Sequence, residues 1–364
     1  MNFVNMPIAK RNEAIQQALA RLVVEEITGQ PFDKVNATFG PLMTNYFSFV
    51  FTVQVMNGQK PYKVFVKIPK EDLRCGPKEI LPVTYADRTM AEGEVNSLQT
   101  LAANWSSEDA GVSWVRLRGF IPEYNAIVTD AVDATDALDK FRQMDLRRRA
   151  GYRADAPRLR GLMARLGDSL GLFHKRSVQD MVFRLDEALP KFDRYCRELA
   201  KVVRGSMPEH VMGTLRCMAG FEIGALQVPT LKGIDIRNVL MDGKDSLFLL
   251  DPGPIKRTCR EADLARFIMT YRILYWGSKL FLLGLRPDKQ AEEAFLKAYY
   301  AHTAPPDQKL LSLYLIKEYL KHWYTAIQSL ELRPWPNPLK PMVAAIYFNR
   351  YYSRQLAAEL HNLA

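Results

Sequence analysis

Apolar and polar positions follow two regimes along the chain. Over residues 8–28 the apolar positions Ile15, Leu19, Leu22, Val23 and Ile27 recur at helical spacing, and Gly29 and Pro31 close the segment, which predicts a leading helix. From residue 32 to 70 the character becomes β-rich. The runs YFSFVFTVQV and YKVFVKI are separated by Asn57-Gly58, a pair that favours a tight hairpin turn. With one short strand before Gly40, three early strands are expected. A polar stretch, KEDLRCGPKEILPVTYADRT, then leads into MAEGEVNSLQTLAAN, where Val95, Leu98 and Leu101 repeat at helical spacing and predict a helix packed on the hairpin.

Two further strand-like segments follow, VSWVRLRGF and NAIVTDAV. Beyond Asp133 the pattern is helical to the end, apart from a β-like patch at 236–251, and the proline-rich LRPWPNPLKP at 332–341 reads as a loop between two late helices. The expected architecture is α+β and bilobal. A helical extension covers 1–31, a small antiparallel β-rich lobe covers 32–131, and a larger, mainly helical lobe covers 132–364.

A chain of 364 residues, 48% hydrophobic and 25% charged, can bury a large core as one domain or two lobes. The net charge of +10 adds a preference for anionic partners: nucleotides, phosphorylated sugars, anionic lipid or nucleic acid. Much of it lies in residues 140–165, where Arg147, Arg148 and Arg149 are consecutive. That run reads as a solvated helix face, with a docking surface for a phosphorylated glycan or an anionic membrane as the alternative. No reading helix or aromatic stacking platform accompanies the charge, so nucleic acid is not an expected partner. Cys75, Cys196, Cys217 and Cys259 form no CxxC pair and have no histidine cluster nearby, which argues for a reducing compartment rather than a zinc site. No run reaches the roughly 18 apolar residues of a membrane span. A cytoplasmic protein, peripheral at most to the inner face of the membrane, is expected.

The candidate chemistry is phosphoryl transfer from ATP. It requires a cation on the α/β-phosphates, ligands for magnesium, and a group that orients the attacking hydroxyl. Lys67, at the end of the apolar run VFVK, is the candidate cation. Glu94 precedes Leu98 and Leu101 at the spacing that turns it towards that lysine, with Glu92 as competitor. The stretch LKGIDIRNVLMDGKDSLFLLDPG at 231–253 contains two short apolar runs joined by Asp242-Gly243. An antiparallel ribbon there would place Asn238 and Asp251 side by side as magnesium ligands. For the phosphates, FGPLMTNYFSF offers Gly40, Thr44 and Asn45, with backbone amides within 41–45. Asp130 and Val132, at the joint between lobes, are further candidate nucleotide contacts.

These segments together resemble the protein-kinase-like superfamily, in the branch of aminoglycoside phosphotransferases, choline kinases and lipopolysaccharide kinases. The step of thirteen residues from Asn238 to Asp251 equals that family's usual separation of metal ligands, and Asp251-Pro252-Gly253 stands where the family has Asp-x-Gly. LGDSLGLFHKRS at 166–177 resembles the helix ending in Leu-His before the catalytic loop, which makes His174 structural. Roughly sixty residues separate His174 from the loop, matching the helical acceptor-pocket insertion of small-molecule kinases, here about 178–228. EADLARF at 261–267 resembles the Asp-Leu-Ala segment whose aspartate, here Asp263, braces the catalytic loop through backbone hydrogen bonds.

The catalytic loop departs from the family. Its usual aspartate falls on Gly233, and Leu231 replaces the histidine. A loop shortened by two residues would make Asp235 the base, with Lys232 or Arg237 near the γ-phosphate; otherwise no base is present. The resemblance implies ATP and Mg²⁺ as cofactors and a kinase acting on a hydroxyl of a small molecule, sugar or glycolipid, a lipopolysaccharide core among them. A nucleotide-binding pseudokinase is the alternative, and the long insertion speaks against a protein kinase.

Overall fold

A computed structural model describes residues 6–57, 60–71, 73, 78–105, 111–203, 205–331 and 339–363. Gly58 of the expected hairpin turn, Cys75 and residues 332–338 of the proline-rich loop lie outside the described residues. The chain forms two compact units, Met1–Asp136 with Asn238–Ile255, and Ala137–Arg237 with Lys256–Ala364.

The first unit begins with α1 (Ile8–Thr28), which ends as its pattern predicts. Gly29 adopts a left-handed φ of 66° and donates its N–H to the Glu25 carbonyl. Buried Ile15, Leu19, Val23 and Val24 form one core with Phe49, Phe51, Val53, Val64 and Val66, while Leu22 faces outward. The leading helix is therefore part of the β-rich unit rather than an extension ahead of it.

The strands of this unit are β1 (Ala37–Phe39), β2 (Met43–Thr44), β3 (Ser48–Asn57), β4 (Lys60–Pro69), β5 (Val112–Trp114), β6 (Leu117–Ile121), β7 (Ala126–Asp130) and β8 (Thr135–Asp136). Helix α2 (Tyr85–Asn104) lies between β4 and β5 in sequence. Among the described residues, one sheet has the order β1-β3-β4-β7-β6 with β2 on β3. The early strands thus number four, β2 being the addition. Period-two alternation in β4 sends Val64, Val66 and Ile68 into the α1 core and Lys67 to the other face. On that face α2 supplies Ala91, Val95 and Leu98 to a second cluster with Val115 and Ile127.

The expected ribbon exists as β11 (Val239–Met241) and β12 (Leu247–Leu249), antiparallel with Val239 opposite Leu249. It joins β5 and β8 in a sheet of order β5-β12-β11-β8, with β5 parallel to β12. The segment VSWVRLRGF is thereby divided between two sheets, and the ribbon belongs to the first unit.

The second unit contains α3 (Ala137–Arg149), α4 (Asp155–Lys175), α5 (Leu185–Ala200), α6 (Met207–Cys217), α7 (Glu261–Arg272), α8 (Lys279–Leu282), α9 (Lys289–Tyr300), α10 (Gln308–Glu331), α11 (Leu339–Val343) and α12 (Arg350–His361), with a π-helical stretch at Ala344–Asn349. Strands β9 (Gln179–Arg184), β10 (Glu222–Thr230) and β13 (Lys256–Cys259) form a sheet of order β13-β10-β9. The expected helical insertion at 178–228 is accordingly two helices, α5 and α6, held between paired strands.

Helix α4 packs closely on α9 because its glycines permit it. A Cβ on Gly171 would come within 2.8 Å of the Tyr299 carbonyl oxygen, and one on Gly167 would collide with that of Phe295. The basic run is internally paired: Arg147 with Asp155 at 3.0 Å, Arg148 and Arg149 with buried Asp145 at 2.7 and 3.0 Å, and Arg160 with Asp288 at 3.1 Å. Among the described residues no helix is long and apolar enough to cross a membrane.

Candidate active site

The first unit brings Lys67, Glu94 and Asp251 together. Lys67 Nζ donates to both Glu94 oxygens at 2.9 and 2.8 Å and to Asp251 Oδ1 at 2.7 Å. Lys67 and Glu94 are largely enclosed, whereas the Asp251 side chain is 52% exposed and forms the open end of the cluster. Glu92 is exposed, so the helix presents Glu94 and not its competitor.

Glu94 reaches this position because α2 is pinned at its start. Thr84 and Asp87 form a reciprocal capping box. Asp87 also pairs with Lys70 at 2.7 Å, and accepts the Glu71 N–H at 2.7 Å. Glu94 lies two turns after Asp87, on the same side of the helix. Lys70 carries no signal in the sequence beyond following Lys67 by one short step, and sequence reasoning missed it. Further along α2, Ile255 N–H donates to Ser97 Oγ at 3.0 Å, and a Cβ on Gly93 would sit 3.2 Å from that of Pro254. The helix that carries Glu94 thus abuts the segment that carries Asp251.

Asn238 and Asp251 flank the ribbon. Leu250 N–H donates to the Asn238 carbonyl at 2.8 Å, which sets the two ends of the ribbon beside each other. Asp251 has φ of 52°, a left-handed conformation that costs energy for a residue with a side chain and concentrates at functional sites. One carboxylate and one amide oxygen make a sparse donor set, and the described residues contain no cluster of three or more His, Cys, Asp or Glu side chains able to hold a metal. Such a pair fits Mg²⁺, which is usually bound by one or two protein oxygens with phosphate and water completing the octahedron. It would suit a zinc or structural calcium site poorly. The ammonium of Lys67 on Asp251 Oδ1 shows that this carboxylate is oriented to receive a cation.

The electrostatics follow from two carboxylates sharing one lysine. Burial works against the charge on Lys67, but Glu94 and Asp251 outweigh it and hold the ammonium above the ordinary lysine value. Burial pushes Glu94 up to about 7, with the Asp251 charge adding to that rise and Lys67 opposing it.

The loop after β1 has little free backbone. Gly40 donates to the Thr52 carbonyl at 2.9 Å, Pro41 has no N–H, and Asn45 donates to the Ser48 carbonyl at 2.8 Å. Gly40 is required there because a Cβ would meet Thr52 Oγ1 at 2.8 Å. The side chains of Thr44 and Asn45 are exposed. Asp130 sits opposite Val64, so its side chain lies on the sheet face away from Lys67, where it accepts from Tyr62 Oη at 2.6 Å and from Arg118 Nε at 2.5 Å. Burial, with Asp130 adding to it, pushes the Tyr62 hydroxyl up to about 12. Val132 packs with the cluster on the α2 face.

In the second unit the segment that begins at Leu231 is anchored by Asp263. Its Oδ2 accepts the Leu231 N–H at 2.8 Å and lies 3.2 Å from His174 Nε2. His174 is fully buried, with Nδ1 2.8 Å from the Tyr299 hydroxyl. Thr270, which the sequence did not single out, accepts the Ile236 N–H at 3.3 Å. Asp235 is not free: Arg237 donates its N–H at 2.9 Å and Nε at 2.8 Å to Oδ1, and a second guanidinium nitrogen to Oδ2. A general base at Asp235 therefore requires this arginine to move or to share it.

No family model matches the chain, and no curated protein does. Solved structures do. A choline kinase from Cryptosporidium parvum Iowa II is 11% identical, with 95% of each chain covered and a TM-score of 0.58. A Plasmodium vivax ethanolamine kinase is 11% identical over 97% of this chain and 91% of its own, with a TM-score of 0.51. A glucosamine kinase solved with glucosamine, ADP and inorganic phosphate is 13% identical over 90% of this chain and 80% of its own, with a TM-score of 0.50. Identities this low speak to architecture alone, and they establish that the chain has the α+β protein-kinase-like fold.

Proposed function

We propose that the protein is an ATP- and magnesium-dependent phosphotransferase acting on a hydroxyl of a small molecule or sugar. The observation that carries this reading is the contact of Lys67 with both Glu94 and Asp251, with Asn238 at the other end of the same ribbon. The choline, ethanolamine and glucosamine kinases that share the fold support it, as does the ADP held by the last of these.

In this reading Lys67 leaves Asp251 to bind α/β-phosphate oxygens, and Glu94 keeps it oriented. Asn238 and Asp251 would hold Mg²⁺, which neutralises charge on the phosphates when bound. The acceptor oxygen forms a bond to the γ-phosphorus, the bond from that phosphorus to the bridging oxygen of ADP breaks, and the acceptor proton passes to a base. Asp235 is the candidate base, and the exposed Thr44 and Asn45 are candidate phosphate contacts. Cys196, Cys217 and Cys259 are free thiols, in keeping with a cytoplasmic setting. A lipopolysaccharide-like glycolipid acceptor reached through residues 140–165 at an anionic membrane is the weaker form of the proposal, because Arg147, Arg148, Arg149 and Arg160 already have carboxylate partners.

The Asp235–Arg237 pair also favours a second reading, a pseudokinase that holds nucleotide without transfer. Release of ADP, measured against a panel of sugars, amino-alcohols and other alcohols, separates the two. Transfer predicts acceptor-dependent ADP release that falls about a hundredfold in Asp235→Asn with ATP binding retained. A nucleotide-induced melting shift with no ADP release for any acceptor contradicts transfer, and unchanged turnover in Asp235→Asn removes Asp235 as base.

A further inference from the structure

The second unit holds a cluster with the opposite charge imbalance, built on α10 and α7. Glu318 is buried, with a side chain 2% exposed, and three cations converge on it: Lys321 at 3.3 Å, Lys317 at 3.6 Å and Arg266 at 3.6 Å. These distances are long for charge-assisted hydrogen bonds, which run at about 2.7–2.9 Å. One carboxylate cannot give all three cations full geometry. Lys317 instead lies over the Tyr314 ring, 4.4 Å from its centre, and Arg266 donates to the backbone carbonyl of Lys232. The cations keep part of their surface in solvent.

The neighbouring groups do not redress the balance. Lys191 and Lys232 are exposed and add positive charge, and Arg237 is neutralised by its own partner Asp235. Burial lowers Lys317 to about 8, with Lys191, Arg266 and Lys321 adding to the fall and Glu318 alone opposing it. Burial would raise Glu318, yet Arg266, Lys321 and Lys317 hold it down at about 2. Burial takes His322 down to about 3, with Arg237 and Lys321 adding to the fall and Asp235 and Glu318 opposing it.

We propose that Lys317, Lys321 and Arg266 form a binding site for a phosphate group carried by the acceptor, so that the favoured acceptor is itself a phosphate monoester with a free hydroxyl. This rests on the phosphotransferase reading. The free hydroxyl oxygen takes the γ-phosphoryl group of ATP, its proton leaves to a base, and ADP and a doubly phosphorylated product depart. A guanidinium with two ammonium groups, less the charge of Glu318, leaves a surplus of about two positive charges, which suits a phosphate dianion. An acceptor of the cationic amino-alcohol kind would be repelled.

The test uses the whole protein and two measurements. The first is calorimetric titration with inorganic phosphate, for the native protein, Lys317→Met and Lys321→Gln. Loss of one charge-assisted contact is expected to weaken phosphate binding about tenfold in each variant, with ATP affinity unchanged. Lys317 loses its charge above about pH 8, so phosphate affinity is expected to fall as the pH rises through that value. The second is ADP release with sugar monophosphates against the same sugars unphosphorylated. Phosphorylated acceptors are expected to show a KM about tenfold lower or better, and Lys321→Gln to raise that KM without changing the KM for ATP.

Phosphate affinity that is undetectable, or equal in the variants, overturns the site. Equal KM for both acceptor forms overturns its assignment to the acceptor and leaves the transferase reading standing. Phosphate binding that depends on Lys321, with no ADP release from any acceptor, sinks the transferase reading and with it the acceptor role.

Discussion

In the first unit two carboxylates share one lysine; in the second, three cations share one carboxylate. Neither imbalance helps the folded chain by itself, since buried like charges repel and desolvation weighs on every member. The difference is instructive because each deficit names its remedy. Surplus carboxylate at Lys67, opening at Asp251, suits a divalent cation, and surplus ammonium and guanidinium around Glu318 suit an oxyanion. The Lys70–Asp87 pair, with matched charges and further hydrogen bonds to Ile80, Pro82, Glu71 and Thr84, is by contrast balanced.

The largest effect on nucleotide binding should come from breaking the first imbalance at its open end. Asp251→Ala is expected to weaken magnesium-dependent nucleotide binding about a hundredfold, read by calorimetry. Unchanged affinity would remove Asp251 from the site. On stability the largest effect should be that of Lys70→Met, which strands a buried carboxylate and should cost about 3–5 kcal/mol in urea unfolding. Lys317→Met, in the crowded cluster, should cost below about 1 kcal/mol, because Arg266 and Lys321 still serve Glu318. Similar losses for the two lysines would erase the contrast.

A separate effect concerns pH. Glu94 has a folded-state pKa raised from 4.5 to about 7, so its contribution to stability is fully present below about pH 4.5 and is lost as pH rises through about 7. His322 runs the other way. Its folded-state pKa falls from 6.5 to about 3, so its contribution is present above about pH 6.5 and is lost as pH falls through about 3. Unfolding followed across pH should show that Glu94→Gln removes the decline on the neutral side and leaves the acid limb intact. A neutral-side decline that persists in the variant would show that Glu94 does not titrate there.

The residues of the first unit were legible because each rests on a local period. Lys67 is opposite the buried alternation of Val64, Val66 and Ile68, Glu94 shares a helix face with Leu98 and Leu101, and the ribbon is bracketed by Asp242-Gly243. What escaped depends on distant pairing. Strands β9 and β10 are separated by α5 and α6, and β10 carries Gly224 and Pro229, which blur its strand pattern. The parallel pairing of β5 with β12 assigns the ribbon to the first unit and has no local signature. The arginine run shows the same division. Asp145 lies three and four residues before its partners Arg148 and Arg149, a visible helical spacing, whereas Asp288 meets Arg160 only through the fold. The side-chain direction of Asp130 also depends on strand phase, since its register opposite Val64 puts it on the face away from Lys67.

The most direct measurement is a crystal structure with a non-hydrolysable ATP analogue and magnesium. The account predicts that Lys67 Nζ leaves Asp251 for the α- and β-phosphate oxygens while keeping Glu94, and that Asn238 and Asp251 ligate the metal. Nucleotide bound elsewhere, with the Lys67–Asp251 contact still closed and no metal between Asn238 and Asp251, would contradict it.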